Sequence, residues 1–216
     1  VIAEIDVGGA PQAPDWQVTG FGSVWVANAA NRSIQRIDPR TNQVIATIAV
    51  DDPCNGLAAG FGSIWAPGCA DELVTRIDAR TNRVVARIHA HIFSEGEGLI
   101  AAGAGGVWLV TADKVLSRID PASNRVVAKV SVPEGSTSAV VGFGSVWVTS
   151  HDTGTVVRVD PARNNADATI AVGTGPRFLA AGEGSIWVLN QKDGTVSRID
   201  PATATVVATI DAQLFG

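Results

Sequence analysis

The stretch Gly20-Phe21-Gly22-Ser23-Val24-Trp25 decides the fold, because it returns four times. It reads GFGSIW at residues 60–65, GAGGVW at 103–108, GFGSVW at 142–147 and GEGSIW at 182–187. Its tryptophans, Trp25, Trp65, Trp108, Trp147 and Trp187, stand 40, 43, 39 and 40 residues apart. A second block travels with it: Arg36-Ile37-Asp38, which recurs as Arg76-Ile77-Asp78, Arg118-Ile119-Asp120, Arg158-Val159-Asp160 and Arg198-Ile199-Asp200. A third is Val44-Ile45-Ala46-Thr47-Ile48, repeated at 84–88, 126–130, weakly at 166–170, and at 206–210. Self-similarity at this period marks an array in which one module cannot bury its own faces and stacks on its neighbours.

Each module reads as four short strands. Strand A is a small apolar run before the Gly-x-Gly pair, strand B carries the tryptophan, strand C ends in Arg-Ile-Asp, and strand D is the Val-rich run. Gly-x-Gly supplies positive φ for a tight turn between A and B. The Asp-Pro-x-Thr-Asn segment turns C into D, with proline presetting φ and Asp and Asn bonding nearby backbone. No helical periodicity competes. The expectation is an all-β chain, a β-propeller of four-stranded antiparallel blades. It forms one domain over 1–216, with repeats at about 11–50, 51–90, 91–132, 133–172 and 173–212. Val1-Ile2-Ala3-Glu4-Ile5 matches strand D at 206–210, so residues 1–6 read as an extra strand D. Two closures stay open: five blades alone, which is favoured, or a larger, seven-bladed ring of which these are part.

Composition agrees. Apolar residues make up 46% and charged residues 17%, with 23 glycines and no Met or Tyr. The net charge is −5 and no run of Lys and Arg occurs, which argues against a nucleic-acid partner, since a phosphate backbone demands clustered cations. No 18-residue apolar stretch exists, so no membrane-spanning helix is expected. The sequence starts at Val1, consistent with a mature form or an excised piece.

The pattern G-x-G-S-[VI]-W-V followed by S-x-x-R-I-D-P-x-T-N-x-V-V-A-T-I resembles the YVTN/YncE-type propeller repeats, a group close to virginiamycin B lyase (streptogramin lyase). The resemblance covers essentially the whole chain. It implies the propeller fold, typically seven-bladed, but the same repeats serve enzymes, surface proteins and sensor domains, so fold does not carry function. The lyases use histidine and glutamate at the propeller mouth with Mg²⁺. Carried to this sequence, that chemistry implies His151 as base and Glu95 or Glu97 as metal anchors.

The repeat is its own control: a residue present in every copy belongs to the blade, and a residue that breaks the pattern at the mouth is a functional candidate. The five tryptophans therefore read as core rather than sugar platforms. The Arg and Asp of the second block read as blade-edge hydrogen bonding and turn capping. The Gly-x-Gly pairs precede strands, which excludes a dinucleotide loop. What varies is the face shared by the D-to-A and B-to-C loops. Aligned strand A entrances give Asp15, Asn55, Gly98, Thr137 and Arg177, then Trp16, Gly56, Leu99, Ser138 and Phe178. Asp15, Trp16, Asn55, Thr137, Arg177 and Phe178 are the candidate ligand-binding residues, with Asp15 pairing with Arg177 if five blades close.

All three histidines fall on this face. His91 with Glu95 and Glu97 offers imidazole and carboxylate for a divalent cation, Mg or Ca, and His151 is the candidate catalytic residue. Solvated loop histidines are the plainer alternative. Cys54 and Cys69 are brought to one mouth by the repeat, which points to a disulfide over two free thiols. A disulfide points in turn to a secreted or periplasmic protein. The functional expectation is an exported, non-catalytic propeller binding a small molecule, glycan or protein partner. A metal-dependent lyase of the virginiamycin B type is the alternative, and an architectural or sensor repeat domain of a larger protein is the second.

Overall fold

The computed structural model describes residues 3–8, 14–92, 97–111 and 114–212. Two compact units divide the chain, Val1–Glu95 and Gly96–Gly216. Among the described residues there are twenty strands and no helix. The strands form five four-stranded antiparallel sheets, each in simple sequence order without crossovers.

The first unit holds two blades. Blade 1 comprises Pro14–Gly20, Ser23–Asn28, Ser33–Asp38 and Gln43–Ala49, and blade 2 comprises Ala58–Gly60, Ser63–Gly68, Leu73–Asp78 and Arg83–His89. The second unit holds three. Blade 3 comprises Ile100–Gly103, Gly106–Thr111, Val115–Asp120 and Arg125–Ser131. Blade 4 comprises Ser136–Gly142, Ser145–Ser150, Thr155–Asp160 and Asn165–Ala171. Blade 5 comprises Pro176–Gly182, Ser185–Asn190, Thr195–Asp200 and Thr205–Asp211. Of residues 1–6, read from sequence as an extra strand D, the described residues 3–6 lie in no strand.

The repeated residues do the work of the blade. Trp25, Trp65, Trp108 and Trp147 are each 0% exposed. Every one of the five indole N–H groups donates to the carbonyl of the glycine five residues earlier, at 3.1 or 3.2 Å. A large apolar ring is thus buried with its polar handle satisfied. The arginine opposite each tryptophan lays its guanidinium over the ring, from 4.7 Å in Arg76 on Trp65 to 5.9 Å in Arg158 on Trp147, within cation–π range.

The same arginines reach beyond their own blade. Arg36 Nη1 donates to the Ala79 carbonyl at 2.8 Å and to Asn82 Oδ1 at 3.0 Å. Arg118 Nη1 repeats this with Pro161 at 2.9 Å and Asn164 at 3.0 Å. Arg158 Nη1 reaches Pro201 at 3.2 Å. Each therefore clasps the C–D turn of the following blade. Asp38, Asp78, Asp120 and Asp160 accept backbone N–H groups within that turn. Asn42, Asn82, Asn124 and Asn164 occupy its left-handed position, with φ between 52° and 58°, where Asn is tolerated better than other non-Gly residues.

Blades join through apolar faces. Trp25, Ala27, Ile34 and Ile48 of blade 1 pack with Leu57, Ile64, Ala66 and Ile77 of the blade 2 module. Trp147, Val156 and Ile170 of blade 4 pack with Ile186, Val188 and Ile199 of blade 5. The innermost strands approach too closely for a side chain at their ends. A Cβ on Gly20 would lie 2.7 Å from that of Ala59, and one on Gly142 would lie 2.5 Å from that of Ala181. The small residues of strand A follow from this crowding.

Candidate functional site at the loop-rich rim

In blades 1, 2, 4 and 5 the D–A and B–C loops are tied together at one end of the sheet. In blades 1 and 4 the tie is a buried polar residue at the end of strand B, which the repeat comparison assigned to a loop. In blade 1, Asn28 Nδ2 donates to the carbonyls of Val7 and Gly8 at 3.0 and 2.8 Å. In blade 4, Ser150 Oγ donates to the Glu134 carbonyl. Both residues are 0% exposed. Their signal was available in sequence, as a polar residue three positions after each tryptophan in these copies.

Blade 2 departs from that plan. Its residue at this position is Gly68, where a Cβ would meet Asp71 Oδ1 at 2.6 Å and the Asp51 carbonyl at 2.9 Å. The tie is made instead by the Cys54–Cys69 disulfide, which closes a sequence separation of 15. Backbone bonds from Cys54 to Pro67 at 2.9 Å and from Cys69 to Asp52 at 3.3 Å flank it. Asn55 Nδ2 approaches Cys69 Sγ at 3.1 Å. Asp15 is exposed and Trp16 is half-buried against the blade 1–blade 2 core. His91 Nδ1 stands 3.4 Å from Glu72 Oε2, both well exposed.

The second unit carries a continuous polar belt across three blades. Ser138 Oγ donates to the Gly98 carbonyl at 3.3 Å, and the Ala139 N–H donates to the same oxygen at 3.1 Å. Thr149 Oγ1 donates to the Arg177 carbonyl at 3.1 Å and lies 3.5 Å from Thr137 Oγ1. Above this belt Arg177 Nη2 meets Glu97 Oε2 at 2.5 Å, and the two side chains are 34% and 39% exposed. Arg177 Nη1 also donates to Gln191 Oε1 at 3.1 Å, and its guanidinium lies 5.6 Å from the Phe178 ring. Thr137, Arg177 and Phe178 are thus gathered at one rim with Glu97, a residue assigned from sequence to a metal rather than to an arginine.

His151, 28% exposed, holds Asp152 Oδ1 at 3.1 Å through Nδ1. In the neighbouring blade 5 loop, Asp193 accepts the Thr174 N–H at 2.6 Å and the Thr195 hydroxyl at 2.7 Å. These bonds, the Thr174 backbone first, hold its carboxyl down to about 2. Glu95 lies outside the described residues. Among those described, no group of three or more His, Cys, Asp and Glu gathers at metal-holding distance. A cleft of about 390 Å³ lies away from these candidates, lined by Asn31, Arg32, Val50, Asp51 and Arg87.

The fold has solved counterparts. A streptogramin B lyase structure superposes with a TM-score of 0.78 at 15% identity, covering 94% of this chain and 70% of that one. The chain has the fold of a β-propeller. A catalytically inactive histidine-to-alanine virginiamycin B lyase from Staphylococcus aureus, solved with quinupristin, superposes at 0.74 and 15% identity, covering 92% of this chain and 70% of that one. The propeller is shared more widely. U3-55K superposes at 0.76 and 12% identity, covering 95% of this chain and 66% of that one. No protein-family model matches the sequence, and no curated protein does. No helix among the described residues of this propeller is long and apolar enough to cross a membrane.

Proposed function

We propose that this propeller is an exported protein that binds a small molecule, glycan or protein segment on its loop-rich face without catalysing a reaction. One observation carries the reading: the Glu97–Arg177 pair at 2.5 Å beside Phe178. The pair is only partly buried, so a ligand carboxylate or ammonium can exchange for one partner while the ring supplies apolar contact. Half-buried Thr137 adds a hydroxyl to the same rim, backed by the buried Thr149. Within the first unit, Asp15, Trp16 and Asn55 hold the equivalent strand A entrances and are proposed as ligand contacts of that unit. The Cys54–Cys69 bond supports export.

The test is a glycan array and a thermal-shift panel of small carboxylates and amines, followed by calorimetry on any hit. Arg177→Ala and Phe178→Ala each abolish the heat of binding, whereas His151→Ala leaves it unchanged. Binding that survives Arg177→Ala and Phe178→Ala together would remove this rim from the site.

One observation favours a second reading, a lyase of the virginiamycin B type. Asp152 at 3.1 Å is placed to orient the His151 imidazole as a general base. A divalent cation, Mg or Ca, belongs to this reading as the resemblance implies it. Incubation with quinupristin and Mg²⁺ then yields a new product by chromatography, and His151→Ala yields none. No product from the unaltered protein would dismiss it.

A further inference from the structure

The cleft of about 390 Å³ lies wholly within the first unit, where the B–C turn and the end of strand D of blade 1 meet strand D of blade 2. Its walls are Asn31, Arg32, Ala49, Val50, Asp51 and Arg87. Two bonds fix the blade 1 side. Asn28 Oδ1 accepts the Asn31 N–H at 3.1 Å, and the Arg32 carbonyl accepts the Val50 N–H at 2.9 Å. Arg32 and Asp51 are thereby held side by side, and Arg32 Nη2 donates to Asp51 Oδ1 at 2.5 Å. On the facing strand the Arg87 backbone is paired with Thr75. Its guanidinium finds no acceptor among the described residues.

The repeat assigns this charge to the cleft and not to blade packing. The joint between blades 4 and 5 is built from the same modules. Its residues at the positions of Asn31, Arg32, Asp51 and Arg87 are Thr153, Gly154, Gly173 and Thr209, none of them charged. Arg32 also sits in a left-handed backbone, φ 49°, a conformation that Gly154 adopts without strain. Two arginines and a carboxylate therefore replace neutral residues that serve an equivalent joint.

We propose that this cleft binds a small, singly charged acid bearing hydroxyl groups, an acidic sugar by class. A guanidinium fork matches a carboxylate with two parallel hydrogen bonds, and Arg87 is uncommitted. The Arg32–Asp51 pair, 68% and 51% exposed, is screened by water and opens readily to share Arg32 with a ligand. Asp51 Oδ2 accepts from a ligand hydroxyl and the Asn31 side-chain amide donates to another. Charge fixes the class: two guanidiniums and one carboxylate leave one positive charge, which one acid group neutralises. A dianion would bring a surplus charge against Asp51, and a zwitterion would leave the surplus on the arginines. Ala49 and Val50 supply apolar surface for a ring, and the volume falls in the range of about 300–1,000 Å³ common to small-molecule sites. The site shares no residue with the Glu97–Arg177 rim and stands whatever that rim binds.

The experiment is calorimetric titration of the 216-residue protein with glucuronate at pH 7. Glucose, the same ring without the acid, binds weaker by about 10-fold or more. Glucose 6-phosphate, a dianion, and glycine, a zwitterion, also bind more weakly than glucuronate. Arg87→Thr and Arg32→Gly install residues that the blade 4–5 joint already carries, and each weakens glucuronate by about 10-fold or more. Arg177→Ala leaves it unchanged.

Absence of glucuronate binding would overturn the proposal, as would equal binding of glucose or tighter binding of glucose 6-phosphate. So would binding kept in Arg87→Thr but lost in Arg177→Ala, which would place the sugar on the rim. If either cleft variant does not fold, the unaltered protein still decides by NMR. The Arg32 and Arg87 Nε–H resonances shift with glucuronate and stay in place with glucose; a titration that moves neither sinks the inference.

Discussion

Arg36 Nη1 meets Asn82 Oδ1 at 3.0 Å, 46 residues along the chain, and this contact joins two blades beside the apolar core they share. The guanidinium stacks on its own tryptophan and bonds its neighbour's turn at once. Arg36→Ala removes both and leaves the Ala79 carbonyl unpaired. A loss of about 1–3 kcal/mol is expected by urea denaturation. Arg36→Lys recovers only part of it, because an ammonium lacks the planar fork. Equal stability of the Lys and unaltered proteins would deny the clasp a directional role.

The buried tryptophans differ in what covers them, so their truncation separates covered from uncovered blades. Trp147→Ala empties a site of 0% exposure and costs about 3–5 kcal/mol. Trp187→Ala, made on a half-buried ring, costs less than half as much by the same measurement.

Ala204 occupies the left-handed turn position with φ 53°, where the other four copies have asparagine. It also leaves Arg158 with only the Pro201 carbonyl across that joint. Ala204→Asn relieves the backbone and restores an acceptor. A gain of about 1 kcal/mol is expected, read as a rise in Tm that Arg158→Ala largely cancels.

Reduction of the Cys54–Cys69 bond releases a 15-residue closure. The chain-entropy account gives a loss of about 3 kcal/mol. Cys54→Ser with Cys69→Ser reproduces the effect and is insensitive to dithiothreitol. Because Gly68 supplies no side-chain tie, Gly68→Asn is not a rescue: its Cβ would strike Asp71.

Acid unfolding should begin in the turns. Asp38, Asp78, Asp120 and Asp160 are lowered below 3.8, chiefly by N–H and hydroxyl donors of the next two or three residues, and Asp193 is lowered to about 2. A depressed carboxyl stabilises the fold in full above its unfolded value and loses that contribution as pH falls through its folded value. The Tm is therefore flat from neutrality to about pH 4 and falls between there and pH 2. Asp193→Ala lowers the plateau and shallows the fall; an unchanged pH profile would contradict the assignment.

Most of the scaffold could be read from sequence because five copies repeat one solution: Trp25 and its equivalents, the Arg-Ile-Asp block and the Gly-x-Gly turn are answers to blade packing and recur with it. The rim resisted the same logic. Glu97 precedes the ring position of Gly98 by one residue, so alignment alone grouped it with His91 and Glu95. What fixes its partner is the reach of the Arg177 side chain across blade 4. His91 likewise meets Glu72, a residue of another loop, through the flexible ends of two side chains. Residues 1–5 match strand D letter by letter, yet residues 3–6 lie in no strand, because strand identity requires a hydrogen-bonded neighbour that a match of letters does not provide.

Strand order within each sheet follows the chain without a crossover. A polypeptide emerging from the ribosome can thus finish a blade the moment its fourth strand is free. It then waits only for the next forty or so residues before an arginine finds its turn. Synthesis of this chain is a series of short hairpin closures, each leaving one oily sheet exposed for the few seconds of elongation until its successor arrives.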